Sequence, residues 1–184
     1  MNALSPEAFT RSAVLGGPDN CFRYELRRVW DAARRLLVVC MLNPSTADHE
    51  KDDPTILALM HFARLWGYGG LLIVNLFALR SPSPKALLQR EDRIGPKNSA
   101  FINAAQAYAS VNGGRLLAAW GNGGSLDDRA DWFCSRAYHA HRLELVCLGT
   151  TRQWAPKHPM ARGKHRIPRD QRPIVWREAP EKAA

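Results

Sequence analysis

Four short runs of almost unbroken apolar residues set the strongest limit on the fold: RLLVVCMLN (35–43), LLIVNLF (71–77), RLLAAWG (115–121) and LELVCLG (143–149). An apolar run without polar alternation suits a strand covered on both faces, as in a parallel sheet. The gaps between the runs have helical character. The first opens at Asp53-Pro54, an N-cap followed by proline at the first helical position, and places Ile56, Leu59, Met60 and Ala63 on one face before Gly67. The second predicts a short helix near residues 85–89 and a longer one after Pro96, with Phe101 or Ile102, Ala105, Tyr108 and Ala109 in a stripe that ends at Gly113-Gly114. The third opens with Ser125 and Asp128 in capping-box spacing and continues through Leu126, Ala130, Phe133 and Ala137.

The β-α-β-α-β-α-β order predicts an α/β fold, a three-layer sandwich around a central four-stranded parallel sheet. FRYELRRVW (22–30) alternates enough to be an edge strand, and IVWRE (174–178) is a candidate for another. A single domain over residues 1–184 is expected, with its core at 22–177 and loose ends at 1–18 and 178–184.

An apolar share of 46% argues against disorder. No stretch reaches the roughly 18 to 20 apolar residues of a membrane span, and the first residues lack a signal-peptide layout, so a cytoplasmic location without membrane partners is expected. Cys40 and Cys147 sit in apolar runs, and Cys21 and Cys134 lie far apart, which predicts neither disulfides nor a zinc or iron-sulfur site. The net charge of +9 favours a polyanionic partner, either nucleic acid or a nucleotide. Basic residues concentrate between 152 and 172, at Arg152, Lys157, Arg162, Lys164, Arg166, Arg169 and Arg172.

Open parallel sheets bind ligands beyond the carboxyl ends of their strands. Here the first run ends at Asn43-Pro44-Ser45-Thr46 with Asp48 following, and the second at Asn75-Leu76-Phe77 with Arg80-Ser81-Pro82 behind it. The third ends at Trp120-Gly121-Asn122, and the fourth leads through Gly149-Thr150-Thr151 to Lys157-His158-Pro159. Gly121–Gly124 lacks the Lys-Ser/Thr of a P-loop and is weak evidence for phosphate binding. Asp48, Asp52 and Asp53 could together attract a hard cation, but Asp53 already serves as a helix cap. Neither a metal nor a cofactor is predicted.

The segments MLNPSTAD, DDPT, FARLWGYGGLLIVNLFALRSPSP, AAWGNGG and CLGTT…KHPM resemble the bacterial and phage family named domain of unknown function 1643, over residues 22–160. The same series is similar, more distantly, to the uracil-DNA glycosylase superfamily. That resemblance implies a four-stranded parallel core with a first-strand motif matched by Met41-Leu42-Asn43-Pro44-Ser45. It gives Asn43 the role of orienting water, Asn75 the reading of a base edge, and His158-Pro159 the closing motif. The Ser-Pro that usually follows His-Pro is replaced by Met160-Ala161, which favours nucleobase binding over uracil excision as such.

The implied activity is recognition, and hydrolytic release, of a modified or damaged base in DNA. Asn43, His158 and Asp48 are the candidate catalytic residues, with Asp48 as the nearest stronger base. Pro44, Ser45, Thr46, Asn75, Phe77, Arg80, Trp120, Gly121 and Asn122 are the candidate base-binding residues, Phe77 or Trp120 by stacking. Arg152, Lys157, Arg162 and Lys164 are candidates for the nucleic-acid backbone. Two alternatives stay open, an enzyme acting on a free nucleoside or nucleotide and a non-catalytic nucleic-acid-binding module.

Overall fold

The structure, a computed structural model, describes residues 9–81 and 84–181. Its centre is a mixed seven-stranded sheet: β1 (Thr10–Gly16), β2 (Phe22–Val29), β3 (Leu36–Met41), β4 (Gly70–Asn75), β5 (Arg115–Ala118), β6 (Glu144–Cys147) and β7 (Ile174–Arg177), in the order β1-β2-β4-β3-β5-β6-β7. The four apolar runs supply β3, β4, β5 and β6. Strand β3 pairs in parallel with β4 and β5, and β5 in parallel with β6. The outer pairings, β1 with β2, β2 with β4 and β6 with β7, are antiparallel.

Alternate residues of the apolar runs feed two separate cores. Leu37, Val39, Ile73, Leu117 and Val146 meet helix α1 (Pro54–Leu65) through Ile56, Leu59 and Ala63. Val38, Cys40, Val74, Leu116 and Leu145 meet α2 (Asn98–Val111) and α3 (Arg129–His139) through Ile102, Ala105, Phe133 and Ala137. Continuous hydrophobicity is thus the sum of two period-two patterns, one for each face. Among the described residues no helix is long and apolar enough to cross a membrane.

Local expectations fared unevenly. Helix α1 starts as predicted, with the Asp53 carboxylate accepting from the Thr55 and Ile56 amides and Pro54 in the first turn. The capping box at Ser125 and Asp128 does not form. Residues Gly121–Asp128 make an interrupted 3-10 segment, and Asp128 enters α3 in a left-handed conformation without a side-chain cap. Of the two ends expected to be loose, residues 10–16 form β1. Because β1 pairs along it, β2 is an interior strand and not the edge strand its alternation suggests. The segment TRSAVLG is mostly exposed, so it lacks the apolar signal that marks a buried strand.

The pairing of β1 with β2 shifts register between Val14 and Leu15: Glu25 faces Val14, while Arg23 faces Leu15. Tyr24 is the extra residue of a β-bulge, which reverses the facing of the side chains on either side. Phe22 and Tyr24 join the α2/α3 core, whereas Leu26 joins the α1 core. The bulge lets two buried arginines, Arg23 and Arg28, serve the loop that follows β3.

Candidate functional site at the carboxyl rim

The loop after β3 is held from below by those arginines. Arg23, 2% exposed, donates through Nη1 to the Ala47 carbonyl at 2.8 Å and through Nη2 to Asn75 Oδ1 at 3.2 Å. Arg28, fully buried, donates from Nε to Asp52 Oδ1 at 2.6 Å and from Nη2 to the Asp48 and Lys51 carbonyls. Burial pushes the Arg23 guanidinium down to about 10, the charge of Asp53 acting against that shift and that of Arg80 with it.

These contacts account for the acidic loop. Asp52 pairs with Arg28 and also with Arg11, and Asp53 caps α1. Asp48 Oδ1 accepts from the Glu50 and Lys51 amides at 2.9 Å, and those two bonds hold its carboxyl below the usual carboxylate range. It is therefore a weaker proton acceptor than an ordinary aspartate, a poor match for the stronger base expected at this position. No group of three or more metal-ligating side chains occurs among the described residues.

At the end of β3, Asn43 donates from Nδ2 to the Pro44 and Ser81 carbonyls at 3.1 and 3.0 Å. The Ser81 amide returns a bond to the Pro44 carbonyl, so the first two strand ends are stitched together. Asn43 is half-buried, and its Oδ1 has no partner among the described residues. Pro44 is buried, Ser45 half-buried and Thr46 exposed. Pro82 lies outside the described residues.

Asn75, at the end of β4, is 1% exposed. Arg23 takes its Oδ1, which orients the amide, while Nδ2 is buried without an acceptor. Arg23 Nε is a second buried donor in the same state. The backbone here is fixed from the other face, where Asn98 Nδ2 donates to the Asn75 and Leu76 carbonyls at 3.0 and 2.9 Å and Arg129 Nε donates to Leu76 at 3.0 Å. Phe77 is completely buried in the α2/α3 core and has no face open for stacking. Trp120 is also core, edge-on to Phe133 and Trp176 at 5.4 and 5.5 Å between ring centres. Both rings are thus packed into the core just beyond the ends of β4 and β5.

The third and fourth strand ends meet each other. Thr151 Oγ1 donates to Asn122 Oδ1 at 2.6 Å, and the Gly121 amide donates to the Pro156 carbonyl at 2.8 Å. Gly121 has φ 68°, a conformation that suits glycine. His158 is half-buried and accepts at Nδ1 from the Met160 amide at 3.1 Å, which leaves its ring proton on Nε2. Burial pushes its pKa below the usual histidine value, opposed by the charge of Asp53. Asp53 also acts on Arg23, so one carboxylate at the start of α1 is electrostatically coupled to both. Arg80 is half-buried and bonded to the Asn20 carbonyl.

The basic segment lies on the outside of this rim. Arg152, Arg162 and Lys164 are exposed and Lys157 is half-buried. Arg169 and His61 exchange two bonds, which anchor the segment to α1, and Trp66 Nε1 donates to the Gln171 carbonyl. A cavity of about 370 Å³ runs between this segment and α1, lined by His61, Phe62, Met160, Arg162, Arg166 and Ile167 among others.

Sequence reasoning overlooked Arg23, Arg28, Asn98 and Arg129. All four are buried polar side chains, and each donates to at least one loop or strand-end carbonyl. A cue for Arg28 was available in FRYELRRVW, where it falls on the apolar face of the alternation with Phe22, Tyr24 and Leu26.

The chain belongs to the family described as protein of unknown function DUF1643, whose model matches residues 23–160. No curated protein and no solved structure matches the chain. The matched span takes in β3 to β6 and every rim residue from Asn43 to His158.

Proposed function

We propose that this protein binds a nucleobase of DNA at the carboxyl rim of its sheet and acts on its N-glycosidic bond in the manner of a glycosylase. The carrying observation is the state of Asn75: its amide oxygen is occupied by Arg23, while its Nδ2 is buried without an acceptor. Such a donor favours a ligand that presents an acceptor, and a base carbonyl oxygen is one. The reading of a base edge expected of Asn75 then runs through donation from Nδ2. Arg23 also anchors the loop after β3 through the Ala47 carbonyl.

Cleavage of the bond builds negative charge on the departing base and positive charge on the sugar. His158 suits the first task as a neutral imidazole whose Nε2–H donates to the base oxygen. Asn43 suits the second, its Oδ1 accepting from a water that it orients without deprotonating. Asp48 supplies a fixed negative charge near the sugar and leaves the water's proton to solvent. The parallel arrangement of β4, β3, β5 and β6, with these residues beyond their carboxyl ends, supports the likeness to the uracil-DNA glycosylase superfamily. Arg152, Lys157, Arg162 and Lys164 would hold the phosphates while the nucleotide turns out of its stack.

The test is incubation with oligonucleotides carrying uracil, hypoxanthine or oxidised pyrimidines, followed by cleavage at abasic sites. Product from the native chain that is lost in His158→Ala supports catalysis. Absence of product with every base, together with equal DNA affinity in Asn75→Ala, removes both the chemistry and the base site. Thermal stabilisation by free nucleotides without DNA binding would instead favour the nucleotide-enzyme alternative.

A further inference from the structure

Trp154 has the opposite character to the other rim aromatics, being 77% exposed. It occupies a turn closed by bonds from the Thr151 amide to the Ala155 carbonyl at 2.8 Å and from the Trp154 amide to the Thr151 carbonyl at 3.1 Å. Its carbonyl accepts from Trp176 Nε1 at 2.9 Å, and Thr151 is itself anchored to Asn122. The backbone at Trp154 has φ 60°, a left-handed conformation that is strained for a bulky residue. Folding alone gains nothing from a large apolar ring placed in solvent on a strained turn, since glycine or asparagine would fit better.

The ring stands between two hollows. One, of about 680 Å³, is lined by Trp120, Asn122, Gln153 and Trp176 among others, and the second, of about 420 Å³, by Gly149, Thr150, Ile174 and Val175 among others. Arg177 lines both, its guanidinium 4.7 Å from the centre of the Trp176 ring. Exposed Arg152 and Arg172 lie nearby in sequence to Trp154 and to β7 respectively. Among the described residues lining the two hollows, Asp131 is the only acid.

We infer that Trp154 is a stacking platform for an unpaired base of single-stranded nucleic acid, with Arg152, Arg172 and Arg177 available to its phosphates. An exposed aromatic face combined with basic side chains is the means by which single strands are held without sequence preference. The charge complementarity selects a polyanion, and the flat exposed ring selects one with unpaired bases. Trp154 is four residues before His158 in the sequence. The inference rests on the nucleic-acid reading of the rim, and it adds a contact outside the pocket that the family resemblance does not supply.

The experiment is fluorescence anisotropy with a labelled 15-nucleotide oligothymidine and with a 15-base-pair duplex, for the native chain, Trp154→Ala and Trp154→Phe. Trp154→Ala should bind the single strand on the order of tenfold more weakly, with an unchanged salt slope, because stacking carries no charge. Trp154→Phe should recover most of the affinity, and duplex binding should change less than threefold. Native binding with no loss in Trp154→Ala overturns the platform and leaves the nucleic-acid reading standing. Equal loss on duplex overturns the unpaired-base assignment, and no native binding to either probe overturns platform and reading together. Sedimentation velocity covers the remaining case: self-association of the native chain, abolished in Trp154→Ala without effect on DNA affinity, makes the patch an interface between copies and rejects the proposal.

Discussion

Arg23 Nη2 donates to Asn75 Oδ1 at 3.2 Å, and this contact orients an amide whose N–H group is buried and without a partner among the described residues. The two residues belong to neighbouring antiparallel strands, β2 and β4, and the bulge at Tyr24 in the pairing of β2 with β1 sets the face that Arg23 occupies. Among the described residues Arg23 has no carboxylate within hydrogen-bonding distance; its side-chain bonds go to an amide oxygen and a carbonyl. It is a structural cation held at the base of the proposed site.

Removing Arg23 should therefore damage stability and ligand binding together. Arg23→Ala strands the Ala47 carbonyl and Asn75 Oδ1 without donors, at a cost of about 2–4 kcal/mol in urea unfolding. Arg23→Lys keeps the charge but cannot span both acceptors with a planar fork, and should fall between the two. A stability for Arg23→Ala equal to that of the native chain would show that the loop needs no such anchor.

The Arg28–Asp52 pair makes a sharper demand, because Arg28 is completely buried. Asp52→Ala leaves a buried guanidinium facing only backbone carbonyls, a change that costs about 3–5 kcal/mol. Arg11→Ala, which removes the exposed partner of the same carboxylate, should cost less than about 1 kcal/mol. Guanidinium chloride midpoints of the two variants, measured side by side, check the contrast.

The fold was legible where burial and period coincide. Val38, Val39, Cys40, Leu72, Ile73 and Val74 announce a strand covered on both sides, and Asp53-Pro54 announces a helix start. What the sequence could not convey was pairing between distant segments. TRSAVLG carries little hydrophobic signal, so β1 was invisible, and with it the interior position of β2. A bulge depends on register, and register depends on a neighbouring strand, so the facing of Arg23 could not be read from FRYELRRVW alone. The same applies to Phe77 and Trp120. Lying at strand ends made them look available, and only the packing of α2 and α3 shows which side of the sheet claims them. Asn43, Asn75 and His158 were legible as positions at strand ends; their bonding states were not.

Asn98 tests whether the rim is built from both faces of the sheet. Its Nδ2 satisfies two consecutive carbonyls at the end of β4. Asn98→Ala should cost about 1–3 kcal/mol in unfolding free energy. It should also weaken base-dependent oligonucleotide binding, although Asn98 lies in α2, which packs on the opposite face from α1. Asn98→Asp removes both donors and sets an anionic oxygen against two carbonyls, so it should be the worse substitution. If Asn98→Ala loses stability with unchanged affinity, the carbonyl clamp does not position Asn75.

His158 gives the protein a pH dependence whose sign follows from its environment. Burial holds its folded pKa below the unfolded value, so the unfolded chain binds the proton more readily. Its contribution to stability is fully present above the unfolded pKa, near 6.5, and is lost progressively as pH falls from there through the folded pKa. Stability should fall on acidification from pH 7 to pH 5, and His158→Gln should flatten part of that slope. His141 is also shifted down by burial, so His141→Asn should flatten another part. Asp48 and Asp127, both held below the usual carboxylate range, lose their contributions at lower pH and leave this window clear. Unfolding free energies at half-unit intervals check the assignment. A slope unchanged in His158→Gln would mean that the ring is not held neutral by burial, and would remove the neutral Nε2–H donor on which its proposed chemistry depends.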